Sequence, residues 1–300
     1  MLYRNFSGYL KEKYGGKVKK ICIDGGFTCP NRDGKCGTGG CVFCAERGAG
    51  EHIEAGRSIT RQVEDFFMSA PPADAYIAYF QNFTNTYAPV SVLRERYDAA
   101  LSDERIKILA IGTRPDCISR EVCELIASYK ERVDVWVELG LQSADDETAK
   151  IINRGYESSV YLDAVAMLKK YGIDVVTHII IGLPGEGDAE LEKTVKMINA
   201  ADSWGIKIHS LYVCRGSRLE KMYRNGEYSP ISMEDYVKRA AYVLTHINPE
   251  TVVHRLTGDC PKGMLVAPEW NTEKNTVIKE IVSAMEKAGT YQGYYYEKNS

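Results

Sequence analysis

The chain has 300 residues, 44% hydrophobic and 26% charged, and a formal net charge of −3. This is the make-up of a globular protein with length for one large core or two small ones, and it does not advertise a general nucleic-acid binder. No stretch approaches the ~20 apolar residues of a membrane span, and the start MLYRNFSGYLKEKYGG lacks the apolar run of a secretory signal, so a cytoplasmic chain with no membrane partner is expected.

Residues 1–17 read as a basic N-terminal arm. Arg4, Lys11, Lys13, Lys17, Lys19 and Lys20 face only Glu12 over the first 20 positions, and Tyr3, Phe6, Tyr9 and Tyr14 are interleaved with them. Such an arm suits phosphate contact and base stacking, or is simply a solvated terminus. From residue 18 onward, short β-rich runs alternate with segments of helical spacing. The runs are 18–24, 76–81, 106–111, 133–140, 173–181 and 206–213, and the helical segments are 58–70, 90–101, 119–129, 145–171 and 188–203. Ser119 with Glu121, and Asp188 with Glu190, look like helix starts. Further helices at 217–225, 232–247 and 273–288 and a strand at 251–256 follow. The alternation predicts an α/β fold with a parallel sheet, open or curled toward a barrel, its core at 18–215 and a C-terminal extension of helices and strand over 216–300.

In such folds ligands lie beyond the C-terminal ends of the strands. Five unusual stretches fall there: a thiol-rich loop after the first strand, then QNFTNTYAP (81–89), GTRPDC (112–117), GLQS (140–143) and GLPGEG (182–187). The thiol loop, FTCPNRDGKCGTGGCVFCAERG, carries Cys29, Cys36, Cys41 and Cys44. Nine cysteines in all are not expected to pair as disulfides, because the cytosol keeps thiols reduced. The loop could hold structural zinc, although only one C-x2-C pair is present. It could be free thiols. It could bind an iron–sulfur cluster through Cys29, Cys41 and Cys44, leaving a fourth iron open.

The C-x11-C-x2-C spacing resembles the radical S-adenosylmethionine (SAM) superfamily, and within it the branch of the Elongator catalytic subunit and the coproporphyrinogen dehydrogenase-like proteins. More narrowly, the thiol loop with YFQNFTNTYAPV, GTRPDC, ELGLQS, INRGY, HIIIGLPGE and RLTGD is similar to the YhcC/YtqA-type family from about residue 5 to 275. The resemblance implies a partial (β/α)6 TIM-like barrel, a 4Fe-4S cluster on Cys29, Cys41 and Cys44, and SAM as cosubstrate. Cys36 departs from the three-cysteine pattern and has no role assigned by it.

The same resemblance implies roles on the rim. Asn82, Thr84, Asn85 and Thr86 would meet the SAM amine, Glu138 and Gln142 the ribose, Arg154 the carboxylate, and Gly182, Leu183 and Pro184 the adenine. Strand alternation itself sets Asp134, Trp136 and Glu138 on one face against Val133, Val135, Val137 and Leu139, and a carboxylate in a buried strand needs a partner, either ligand or ion pair. Arg114, Asp116, His178, His209, Arg255 and Asp259 look like polar lining on the SAM or substrate side. Lys11, Lys13, Lys17, Lys19, Lys20, Arg215 and Arg218 would cradle RNA phosphates. The implied reaction is reductive cleavage of SAM to a 5′-deoxyadenosyl radical, with flavodoxin or ferredoxin as electron donor. The implied substrate is tRNA, whose wobble uridine would go from carboxymethylaminomethyl to aminomethyl. A small metabolite or a protein substrate, or a zinc-stabilised RNA-binding module, are the alternatives. No acetyltransferase segment follows the barrel, so a full Elongator-type enzyme is not expected.

Overall fold

The computed structural model describes residues 2–46, 48 and 56–297. Six strands neighbour one another in chain order and all run parallel: β1 (Val18–Ile23), β2 (Ala75–Phe80), β3 (Ile106–Thr113), β4 (Asp134–Gln142), β5 (Asp174–Ile181) and β6 (Gly205–Ser210). The expected strand at 206–213 stops at Ser210. Its last residues turn off as β7 (Val213–Cys214) to pair antiparallel with β9 (Leu265–Ala267). The expected final strand, β8 (Val252–Arg255), joins the main sheet beside β6, giving seven parallel strands where six were expected. The sheet curls into a half-barrel.

The helices α1 (Phe6–Tyr14), α2 (Ile59–Ser69), α3 (Val90–Ala100), α4 (Arg120–Ser128), α5 (Asp146–Ile151), α6 (Ser158–Lys170), α7 (Asp188–Ala201), α8 (Arg218–Arg224), α9 (Met233–His246) and α10 (Lys274–Lys287) complete the chain. Their apolar stripes and the outer face of the sheet share one core, in which Ile111, Val137, Ile179 and Ile208 are fully buried. Each such side chain contributes about 1.5–3 kcal/mol of burial. Among the described residues no helix is long and apolar enough to cross a membrane.

Two local differences from the sequence reading shape the site. The segment 145–171 is two helices, not one: Asn153 (φ 52°) and Gly155 (φ 83°) take left-handed backbone between α5 and α6. Residues 6–14 are not an extended arm. Asn5 Oδ1 accepts from Gly8 N at 2.7 Å and Gly15 ends the helix at φ 76°, the usual polar cap and left-handed stop. Phe6 then stacks on His254 (3.8 Å) and meets Trp136 edge-on (5.7 Å), Tyr9 meets Trp204 (5.4 Å), and Leu10 is buried. Of the aromatic residues read as a base-stacking surface, Phe6, Tyr9 and Tyr14 therefore form the floor of the half-barrel, at the N-terminal ends of its strands, while Tyr3 packs on the outer core.

Candidate active site at the rim of the half-barrel

The thiol loop sits on the opposite end. Its backbone folds back twice, Arg32 N donating to Cys29 O (2.8 Å) and Cys44 N to Cys41 O (3.1 Å). Two glycines are required by what surrounds them. A Cβ on Gly37 would lie 2.3 Å from Asn31 Oδ1, and one on Gly40, at φ 72°, 2.9 Å from Arg32 Nε. Asn31 is fully buried; its Nδ2 donates to Asn153 O (2.6 Å) and reaches Cys41 Sγ at 3.7 Å. A hydrogen bond from Cys44, and further off Arg114, hold the Cys41 thiol below its ordinary range, while Cys44, the donor, is pushed up. Cys29, Cys41 and Cys44 are half-buried, whereas Cys36 is exposed. Among the described residues no group of three or more His, Cys, Asp or Glu could hold a single metal ion.

The loop after β2 carries a clearer sign of a ligand. Asn82, Thr84 and Asn85 are at most 1% exposed, yet both amide atoms of Asn82, Thr84 Oγ1 and Asn85 Oδ1 have no partner among the described residues, and neither has Asn31 Oδ1. Each orphaned buried polar atom costs roughly 1–3 kcal/mol, so five together beside three thiols fit a polar ligand and a thiolate-held cluster at this rim. Thr86 does not belong with them, because its hydroxyl is spent on Thr113 Oγ1 (2.7 Å) and Cys117 O (2.8 Å).

Arg154 overturns its expected role. It is 1% exposed, and its guanidinium donates to Leu141 O and Ser143 O (both 2.6 Å), Tyr156 O (2.8 Å), Ser158 Oγ (3.0 Å) and Asp146 Oδ1 (3.3 Å). Every donor is taken, so it clamps the α5–α6 loop to the end of β4 and has none left for a carboxylate. Arg154→Met is therefore expected to cost stability even before activity is considered, by at least ~1–3 kcal/mol for a single orphaned acceptor, measured by urea denaturation. Arg114, by contrast, is at the rim: it pairs with Asp116 through Nε (2.9 Å) and Nη2 (2.7 Å) and donates to Arg154 O (2.9 Å).

Gln142, at φ 66° where the β4–β5 register shifts, puts Nε2 where a Cβ on Gly140 would need to be, 2.6 Å away. The Gly182 carbonyl accepts from Tyr228 OH (3.0 Å), and Leu183 and Pro184 are buried, Leu183 packing with Val42, Ile152 and Leu219. In the same turn burial pushes the Glu186 carboxyl up to about 7.

Glu138 also departs from expectation. It lies inside the half-barrel and is 1% exposed. It accepts from His178 Nε2 (2.8 Å), Trp136 Nε1 (3.2 Å) and the Lys207 ammonium. The partner its burial demanded is an internal ion pair. Burial would raise its carboxyl, but Lys207 and then His178 outweigh it and hold it well below the usual range. Lys207 fares worse: burial pulls it down to about 7, since Glu138 must work against the nearby Lys20 and Arg255. His209 lies 5.3 Å from the His178 ring, and Arg255 touches the exposed Asp259 loosely at 3.8 Å. Sequence reading missed Lys207 and Tyr79; a lysine alternating with His209 in IKIHS was the available signal.

The cations expected to form one RNA cradle are divided. Arg215 and Arg218 are exposed at the rim, and Arg218 reaches Gly40 O at 3.4 Å. Lys11 and Lys17 are exposed at the floor end, where Lys13 pairs with Asp134 (2.7 Å) and Lys19 donates to Pro71 O (2.8 Å). Lys20 points into the barrel, 4.6 Å from the Tyr79 ring.

The Radical SAM superfamily model matches residues 32–198. The chain belongs to the radical SAM superfamily. In this radical SAM chain the C-terminal part also matches, the Radical_SAM C-terminal domain covering residues 203–287. Uncharacterized protein YtqA of Bacillus subtilis is 40% identical over 99% of this chain and 93% of its own length. A tRNA uridine(34) acetyltransferase of Methanocaldococcus infernus is 28% identical over 62% of this chain and 34% of its own. The solved archaeal Elp3 of the same organism superposes with a TM-score of 0.68 at 20% identity, over 92% of this chain and 64% of that one, a likeness of fold. The parallel sheet read from the strand alternation is thus the radical SAM half-barrel that the resemblance implied.

Proposed function

We propose that this radical SAM chain binds a 4Fe-4S cluster through Cys29, Cys41 and Cys44, with SAM beside it, and acts in the cytoplasm on the wobble uridine of tRNA, converting a carboxymethylaminomethyl side chain to aminomethyl. When bound, the pair would supply a hydrogen-abstracting radical, fed by a flavodoxin- or ferredoxin-type donor. The observation that carries the SAM site is the group of orphaned buried polar atoms on Asn31, Asn82, Thr84 and Asn85. These residues would bind and orient the amino-acid end of SAM, and Gln142 with the turn at Gly182 would border its nucleoside. Arg114 and Asp116 would line the rim between cofactor and substrate. The tRNA substrate is supported by the likeness to a tRNA uridine(34) acetyltransferase. Removal of a hydrogen atom from the carboxymethyl methylene, followed by transfer of one electron to an external one-electron acceptor, would give an imine that water hydrolyses to the aminomethyl group and glyoxylate.

Wobble-uridine nucleosides from a deletion strain and its parent test the reading. Carboxymethylaminomethyl-uridine should accumulate in the deletion strain and be consumed when its tRNA is incubated with the reconstituted protein, SAM and reductant. Identical nucleosides in both strains would sink the tRNA assignment. The separation of basic residues between rim and floor favours, as a second reading, a small-molecule or protein substrate. Formation of 5′-deoxyadenosine with unaltered tRNA would select it.

A further inference from the structure

We infer that the interior of the half-barrel is a receptor for a carboxylate-sized anionic group of the substrate, held by Lys20, Lys207 and Arg255 below the thiol-loop rim. The inference deepens the proposed function and rests on the substrate entering this half-barrel; the carboxymethyl carboxylate is the anion that reading supplies.

The sheet brings three cations to one face. Register pairs Lys20 with Ile77 and Cys22 with Tyr79, and Lys207 with both His178 and Arg255. Lys20 and Lys207 approach the same Tyr79 ring, at 4.6 Å and 4.5 Å from its centroid, and Lys207 also donates to the Tyr79 hydroxyl at 3.3 Å. Two ammonium groups on one phenol repel each other and persist only if something negative joins them. Glu138 faces them, but it is already committed to Lys207, His178 and Trp136. Lys20 has no hydrogen bond or ion pair among the described residues. Among the described residues Arg255 has only Asp259 at 3.8 Å, a carboxylate that Lys274 shares at 3.4 Å. His209 Nε2 is buried without a partner. Among the described residues at least one positive charge is left over, and an uncompensated charge in such surroundings is costly. Burial lowers the Lys20 ammonium, the response of a cation short of a counter-ion. One anionic oxygen pair set between Lys20, Arg255 and the His209 ring would complete the constellation.

Cys22 is half-buried in the same interior; burial pushes its thiol up while Lys20, Lys207 and Arg255 pull against that, so its reactivity reports on them. Cluster-loaded protein is alkylated without oxygen, at neutral pH, with either iodoacetate or uncharged iodoacetamide, and each cysteine is followed by peptide mapping. Relative to exposed Cys36, Cys22 should favour iodoacetate over iodoacetamide by about tenfold, the effect of one nearby charge. Sodium acetate should slow labelling of Cys22 by both reagents. Lys20→Met and Arg255→Met should each bring the preference toward that of Cys36. Equal preference at Cys22 and Cys36, no protection by acetate, or a Cys22 refractory to both reagents would overturn the inference. Protection by inorganic phosphate in place of acetate would overturn the carboxylate assignment. Labelling needs neither tRNA nor turnover, so failure of the tRNA reading leaves this result standing, and the reverse.

Discussion

Replacing Cys29, Cys41 or Cys44 by alanine should leave anaerobically reconstituted protein colourless and reduce 5′-deoxyadenosine formation to background, while Cys36→Ala should keep both. Thiolates are the ligands such clusters require, and three of them leave one iron open for a substrate. Cys29, Cys41 and Cys44 are half-buried, whereas Cys36 is exposed. Asn31 adds an amide facing Cys41, and polar donors beside cluster sulfurs are part of how a protein tunes them. Absorption before and after dithionite, iron content and 5′-deoxyadenosine yield are the readouts. If Cys36→Ala lost the colour and Cys29→Ala kept it, the ligand assignment would be wrong.

Lys207→Met should destabilise the protein by about 3–5 kcal/mol, because it leaves Glu138 charged and buried with its main counter-ion gone. Adding Glu138→Gln to that variant should recover part of the loss, whereas two independent effects would add. Urea denaturation of the wild type, both single variants and the double variant measures this coupling. The pH dependence has a definite sign. Burial opposes the Glu138 charge, but Lys207 and His178 depress its folded pKa. The resulting stability is complete above the unfolded value near ~4.3 and declines as pH falls below it toward the folded value. Glu138→Gln should flatten that acid limb. An unchanged limb would mean other carboxylates set it.

The architecture was legible because the strands are buried on both faces and read as apolar runs such as IKILAI and DVVTHIII. Ser119 does cap α4, accepting from Val122 N at 3.3 Å. α7 starts at Asp188 as expected, but its cap is Gly187, whose N–H donates to Glu190 Oε2 at 2.9 Å. The break at Asn153–Gly155 was missed because apolar spacing continues across it; the Asn and Gly, both tolerant of left-handed backbone, were the signal. The first helix was missed because its charges looked like a solvated arm. Phe6, Tyr9 and Leu10 share one face at helical spacing, but what they pack against comes from residues 136–254 and no local pattern shows it. The same holds for Glu138 and Arg154. Their types and positions marked buried polar sites, yet whether a ligand or the chain answers each charge depends on Lys207, His178 and a set of carbonyls far away in sequence.

The first helix also decides traffic. Phe6, Tyr9 and Leu10 pack across the floor of the half-barrel among the described residues, and the thiols lie at its other end. Under the proposed function, nucleotide and substrate would share the thiol-ringed end, the deeper guest entering first and leaving last. On that reading, loading should follow a compulsory order, with the outer guest covering the deeper one.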